Sequence, residues 1–347
     1  MSLTSTMLNS RKVSPGLSRR SAQVLRNVSV GVLLTLVLAN HTVSSTLRGD
    51  RALLEALLAQ EAPAAGLCAV GIEPRAAATT LDDLGRELRD DLEGVERPRD
   101  RVRVLNQFLF ERLEIRATGD IHDPCALLLT GILATRQGYC VGLASLALVL
   151  SERAGLPLFA VTTPAHVFLR YDDGVVRINL DPTRSGAEIS DQDYIATERI
   201  ASISVAKGVF MRSLAPSEFL AQVHNNLGVI YSERSDFPAA AHEYDAALAL
   251  LPKFPAAFYN LGNDLLRSGE YPKAARVFTR SIKLNPNDAW ALNNRGQAYR
   301  KLGDLKKARR DFEAALRLDP AFAPARANLD ALNAGAPPLL PDSPDLH

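Results

Sequence analysis

Two hydrophobic periods run along this chain, and the switch between them outlines its elements. Over residues 47–115 apolar positions return at i, i+3 and i+4. RALLEALLAQEA (51–62), TLDDLGRELRDDLEG (80–94) and RPRDRVRVLNQFLFERL (97–113) each predict an amphipathic helix. Asp123-Pro124 predicts a further helix over 125–135. From Cys140 to Arg153 the residues are helix formers with apolar side chains at Leu143, Leu146, Leu148 and Val149, and Gly155 and Pro157 stop that helix. Alternation then takes over, predicting strands near 157–162, 166–172 and 175–181. Residues 185–217 read as helical connecting structure. The predicted first domain is α+β, helices packed on a small antiparallel sheet.

The last two strands flank Asp173-Gly174, a favoured two-residue hairpin turn. A two-residue loop pairs Asp172 with Val175. Val167 then faces Leu180, Leu169 faces Ile178 and Tyr171 faces Val176, giving one apolar side. The same register sets His166 directly opposite Asp181. Slipping one strand by a single residue would place Val167 against Asn179 and break the apolar side.

From Ala221 a third period appears, of 34 residues. Gly228, Gly262 and Gly296 share it, as do Ala240, Ala274 and Ala308, the aromatics Tyr244, Phe278 and Phe312, and Pro252, Pro286 and Pro320. Small residues allow paired helices to approach, aromatics fill the groove between them, and proline ends each unit. This pattern resembles tetratricopeptide repeats, three units followed by a cap helix over 323–333, and so implies an all-α solenoid. The expected division is a leader over 1–46, the α+β domain with its connector over 47–217, repeats and cap over 218–334, and a disordered proline-rich tail over 335–347.

A catalytic cysteine needs a base, and the base needs a partner that fixes its tautomer. Cys140, in the first turn of its helix where free N–H groups favour a thiolate, is followed in chain order by His166 and Asp181. GYC at a helix start, LP before a strand, a histidine on the next strand and a strand ending in LDPT resemble the transglutaminase-like core of the papain-like cysteine enzymes. With the helical N-terminal part and the repeats, the longer chain resembles SirB-type transglutaminase-like proteins. The resemblance implies Cys140 as nucleophile, His166 as general base and Asp181 as orienting carboxylate. Gln137 and the Cys140 backbone N–H are candidates for an oxyanion hole. The implied activity is acyl transfer, by hydrolysis or transamidation. The other reading is a non-catalytic scaffold that recruits partners.

The repeats carry a second constellation. Asn226, Asn260, Asn294 and Asn328 recur every 34 residues, at a position that lines the concave groove of such arrays. An amide can donate to and accept from a peptide backbone, so this ladder suits a peptide or protein ligand; the alternative is that it stabilises helix packing. Ala256, Asn260, Trp290 and Asn294 stand where a carboxylate-clamp array carries basic groups.

With 347 residues, 47% hydrophobic, the chain is long enough for two folded domains. Net charge of +1 gives no reason to expect a nucleic-acid partner. No phosphate loop or finger-like metal spacing occurs, and no cofactor is expected. No acidic residue precedes Asp50, and five basic residues precede an apolar run over 28–39. This reads as a signal-peptide-like or anchor segment, so the expected location is periplasmic or membrane-anchored, with the cytoplasm as the alternative. Of the three cysteines, Cys68 and Cys125 are expected as buried thiols, a disulfide being the other possibility.

Overall fold

The computed structural model describes residues 51–120 and 122–335. The leader with its apolar run and the tail beyond Gly335 lie outside the described residues. The first helices are α1 (Arg51–Ala64), α2 (Pro74–Asp91) and α3 (Pro98–Asn106), the last continuing as a π turn over Gln107–Arg112. Leu81, Gly85 and Leu88 turn the apolar stripe of α2 inward. Gly85 is needed there because a Cβ would come within 2.4 Å of the Arg153 Cβ.

The helix expected over 125–135 is broken. Pro124–Ala126 forms a 3-10 turn, Leu128 is extended, and α4 covers Leu129–Thr135. The break follows from close packing within the segment: a Cβ on Gly131 would lie 2.4 Å from the Cys125 carbonyl oxygen. It leaves the first amides of α4 without helical acceptors, and the buried Glu61 carboxylate supplies them. Glu61 accepts from Leu129 N, from Thr130 N at 3.2 Å and from the Thr130 hydroxyl at 2.9 Å. Cys68 and Cys125 are joined in a disulfide across 57 positions of sequence, which corrects the expectation of free thiols. Both lie in the core, and the α1–α2 loop is thereby tied to the turn before α4.

Two short parallel strands, β1 (Arg116–Ala117) and β2 (Gln137–Gly138), lead into α5 (Cys140–Ala154), which Gly155 ends in the left-handed conformation at φ +69°. The main sheet follows, in order β3 (Leu158–Thr162), β4 (Val167–Asp172), β5 (Arg177–Asp181) and β6 (Ala187–Glu188), all antiparallel. The β4–β5 register differs from the expected one by two residues. Leu169 faces Leu180, Tyr171 faces Ile178 and Asp172 faces Arg177. The loop therefore has four residues, Asp173 to Val176. Its ends are held by the Asp173 carboxylate, which accepts from Val175 N at 2.9 Å and from Val176 N at 2.7 Å. Val175 sits at the tip, 92% exposed. A slip of two leaves every side chain on its original face, so alternation does not distinguish the two registers.

Both faces of the sheet are buried. Val167, Leu169, Tyr171, Ile178 and Leu180 join the helical core, while Phe168 and Val161 join a smaller core with Tyr194, Ile200, Val209, Phe210 and Met211. The connector, with α6 (Asp191–Thr197) and α7 (Ser202–Ala206), covers this second face. Arg170 runs beneath it, donating to Asn179 Oδ1, Met211 O and Asp191 Oδ1.

Three helix pairs and a cap follow: α8 (Pro216–Glu233) with α9 (Phe237–Leu250), α10 (Pro255–Arg267) with α11 (Tyr271–Leu284), α12 (Ala289–Lys301) with α13 (Leu305–Leu318), then α14 (Ala323–Asn333). The periodic glycines face the periodic aromatics. A Cβ on Gly228, Gly262 or Gly296 would lie 2.4 to 2.7 Å from the ring of Tyr244, Phe278 or Phe312. Packing does not pause where the repeats begin: Phe219, Val223, Leu227 and Ile230 of α8 belong to the first domain's core. Further on, Ser204 donates to Leu284 O at 2.7 Å and Asn287 to Arg199 O at 2.8 Å, which seats the connector on the second repeat.

Candidate active site

Cys140 is the first residue of α5 and a free, half-buried thiol. The approach to it is fixed residue by residue. β2 pairs with β1, Tyr139 N donates to Ala126 O at 3.2 Å, and Leu143 N closes the first helical turn on Tyr139 O. Gly142 lets the helix start press against the 124–127 turn, since a Cβ there would stand 2.2 Å from Ala126 O. The amides at the front of α5 precede any intrahelical acceptor, and the helix dipole is positive there. Tyr139 is buried beside Cys140. Burial, then the neighbouring Cys140, Glu233 and Asp123, push its phenol well above the usual range.

His166 stands just before β4, at the end of a tight turn. Thr163 N donates to His166 O, and the Thr163 hydroxyl oxygen accepts from His166 N at 3.0 Å. Glu198, at the C-terminal end of α6, clamps this turn by accepting from the Thr163 hydroxyl at 2.7 Å and from Ala165 N at 3.0 Å. The imidazole Nε2 lies 3.1 Å from Asp181 Oδ1, and the Cys140 side chain is near enough to the ring to act on its charge.

Because of the two-residue offset, Asp181 reaches His166 along a diagonal rather than from directly across the sheet. The expected direct pairing is corrected; the contact itself forms because an imidazole spans the diagonal. The LDPT segment fixes the carboxylate. Pro182 opens a 3-10 turn, and Asp181 Oδ1 accepts from Thr183 N at 3.0 Å and from the Thr183 hydroxyl at 2.7 Å. The Tyr194 hydroxyl donates to Oδ2 at 3.3 Å, while the Tyr194 ring stacks on Phe168 with centroids 4.2 Å apart.

These contacts set the charges. Burial opposes a charged imidazole, but Asp181, through its hydrogen bond and negative charge, and the neighbouring Cys140 side chain outweigh it and push His166 up to about 10. Burial raises the Asp181 carboxyl, yet the hydrogen bonds from His166 and Thr183 and the imidazolium charge take it down to about 2. Burial and the Asp181 charge raise the Tyr194 phenol far above its ordinary value, so it remains a donor. The arrangement is an imidazole hydrogen-bonded to a buried carboxylate, with a free thiol in its neighbourhood.

Gln137 is exposed on β2, two residues before Tyr139 at the helix start. Thr183, Tyr194 and Glu198 escaped the sequence reading. One signal was available: Phe168, an aromatic on the otherwise polar side of its strand, required a covering element, and α6 is that element. Three of the repeat asparagines hydrogen-bond other asparagine amides. Asn260 donates to Asn225 Oδ1 at 2.9 Å, Asn294 to Asn263 Oδ1 at 2.8 Å and Asn328 to Asn293 Oδ1 at 2.9 Å. Asn226 is half-buried on α8. Three of the four residues thus link successive first helices; the Asn260 and Asn328 amide nitrogens each keep a second hydrogen to donate, whereas Asn294 also donates to the Tyr259 hydroxyl at 3.4 Å.

Residues 75–225 match the transglutaminase-like superfamily, and residues 225–263 and 259–321 match tetratricopeptide repeats. A UPF0162 protein of Xylella fastidiosa strain 9a5c is 27% identical over 185 residues, covering 50% of this chain and 64% of that protein. Its counterpart in strain Temecula1 is 26% identical over 183 residues, with the same coverage. The chain therefore spans less than two thirds of the length of these curated relatives. Among solved structures, the first tetratricopeptide domain of Spaghetti (RPAP3), bound to an HSP90 peptide, is 23% identical and covers 33% of this chain and 91% of that one, with a TM-score of 0.33. Sequence pattern, fold and family matches agree that the chain is a transglutaminase-like domain followed by tetratricopeptide repeats, related to the UPF0162 proteins.

Proposed function

We propose that the chain is a cysteine-dependent acyl-transfer enzyme whose repeats hold a peptide or protein. The observation that carries this reading is the His166 ring, 3.1 Å from Asp181 and close enough to the Cys140 side chain for each to act on its charge. The Cys140 sulfur attacks an amide carbonyl, forming a C–S bond and an oxyanion. His166 gives its proton to the departing amine as the C–N bond breaks. Water, or a second amine, then attacks the thioester while His166 takes up its proton and Asp181 holds the ring, and the C–S bond breaks to release the acyl product and return the Cys140 thiolate. The free amides at the start of α5, with Gln137 nearby in sequence, would receive the oxyanion. The unshared hydrogens and carbonyl oxygens of Asn260 and Asn328, together with Asn226, would meet the ligand backbone. The Cys68–Cys125 disulfide suits an oxidising compartment, which favours work outside the cytosol.

The test is to trap the acyl-enzyme. Wild-type protein offered a panel of activated amides and thioesters should gain an adduct on Cys140, found by peptide mass, and Cys140→Ala should not. If no acyl donor modifies Cys140 faster than it modifies the unfolded chain, the domain is a binding scaffold.

A further inference from the structure

The outer helices of the second and third repeats carry a charge pattern that neither the site nor the groove uses. Residues 253–330 hold 15 Lys and Arg against eight Asp and Glu, a net +7 in a chain whose total is +1. The sequence YPKAARVFTRSIKL of α11 contains four basic residues and no acidic one. Arg276, Arg280 and Lys283 are spaced four and three apart, so they share a face, and that face is opposite the buried Ala274, Phe278 and Ser281. On α13, Lys306, Arg310 and Arg317 form a matching row opposite the buried Ala308, Phe312 and Ala315, interrupted by the half-buried Glu313. The 34-residue period sets Arg276 and Arg310, and likewise Lys283 and Arg317, at equivalent points of successive repeats. The two rows therefore stack side by side. All six side chains are exposed, and none forms an ion pair among the described residues.

Two exposed leucines adjoin this field. Leu302 (44% exposed) ends α12, and Leu305 (52% exposed) begins α13, one residue before Lys306. We propose that this outer face docks on an anionic phospholipid surface, the cations meeting headgroup phosphates and Leu302 and Leu305 entering the acyl boundary. A bilayer offers both negative charge and an apolar layer. A nucleic acid offers the first without the second, and none of the six cations is interleaved with an exposed aromatic on which bases would stack. The whole chain's small net charge hides the field because the remaining residues are net negative.

The experiment is sedimentation of the full chain with vesicles of phosphatidylcholine alone or mixed with phosphatidylglycerol, across a salt series. Wild type should pellet more with the anionic vesicles, and the excess should fall with salt. Arg276→Glu with Lys283→Glu and Arg317→Glu should weaken this excess by at least about tenfold, given the contribution of each basic residue near an anionic surface. Leu302→Ser with Leu305→Ser should weaken it at every salt concentration. Charge reversal at Arg86, Arg97 and Arg99, exposed in the first domain, should change nothing. Circular dichroism will confirm that each variant keeps its helices. The proposal is overturned if both patch variants pellet like wild type, or if duplex RNA or an acidic protein binds the patch while anionic vesicles do not.

Discussion

His166 Nε2 lies 3.1 Å from Asp181 Oδ1 across a diagonal of the β4–β5 pair, and the Cys140 side chain acts on the charge of the same ring. The sulfur therefore has a cationic neighbour, an imidazolium whose charge is held by a buried carboxylate. Iodoacetamide should alkylate Cys140 at pH 6 faster than it alkylates an ordinary thiol, whose pKa is about 8.5. His166→Ala should slow that reaction by at least about tenfold. Equal rates in both proteins at pH 6 would separate the thiol from the imidazole.

Stability should depend on pH through the same pair. His166 is raised from its ordinary 6.5 to about 10, so its stabilisation is complete below 6.5 and fades as pH climbs through 10. Asp181 is lowered from 3.8 to about 2, so its stabilisation is complete above 3.8 and fades as pH falls through 2. The Tm difference between wild type and His166→Ala should be greatest between about pH 4 and 6.5 and shrink on both sides. A difference that stays constant from pH 3 to 10 would contradict the linkage.

Tyr194→Phe deletes a hydroxyl that donates to Asp181 and keeps the ring stacked on Phe168. The expected loss is about 1 kcal/mol in urea unfolding, since a buried carboxylate oxygen loses a donor while the packing stays. Tyr194→Ala also removes the stack and should cost about 3 kcal/mol or more. If the two variants prove equally stable, the ring contributes nothing to the second core.

In the repeats, Gly262→Ala places a methyl 2.7 Å from Phe278 Cε1, and Gly228→Ala places one 2.4 Å from Tyr244 Cε1. Overpacking of this kind costs about 1–3 kcal/mol. Gly269→Ala introduces a left-handed alanine at φ +77° with no close Cβ neighbour, so its penalty is conformational strain alone. Thermal melts that show no loss for Gly228→Ala would mean that the helix pair can open without penalty.

The Cys68–Cys125 bridge closes a loop of 57 positions. Chain entropy gives such a loop a stabilisation of about 4 kcal/mol. Cys68→Ser with Cys125→Ser should lower the Tm accordingly while leaving Cys140 free to react. Unchanged melting under oxidising conditions would show that the bridge does not restrict the unfolded chain.

Much of this was legible in residue order, for local reasons. The 34-residue recurrence of glycine, alanine and aromatic positions specifies helix pairs because each unit repeats the same contact, Gly228 on Tyr244 and Gly262 on Phe278. The helix beginning at Cys140 and ending at Gly155 follows from propensity and a left-handed terminus. The break between Cys125 and Leu129 was not legible, because it depends on Gly131 meeting a carbonyl and on Glu61, far away in sequence, supplying acceptors. Cys68 and Cys125 likewise gave no local sign of pairing.

By itself the sequence determined which residues share a face. Alternation kept His166 and Asp181 on one side of the sheet and Val167 and Leu180 on the other, and a two-residue slip preserves that division. Only the tertiary structure decided the register, because the four-residue loop closed by Asp173 has the same face parity as a two-residue turn. Only the tertiary structure, again, turned the connector into part of the site. Burying Phe168 brought Tyr194 onto Asp181 and Glu198 onto the His166 turn, contacts that depend on three-dimensional packing and leave no period in the chain.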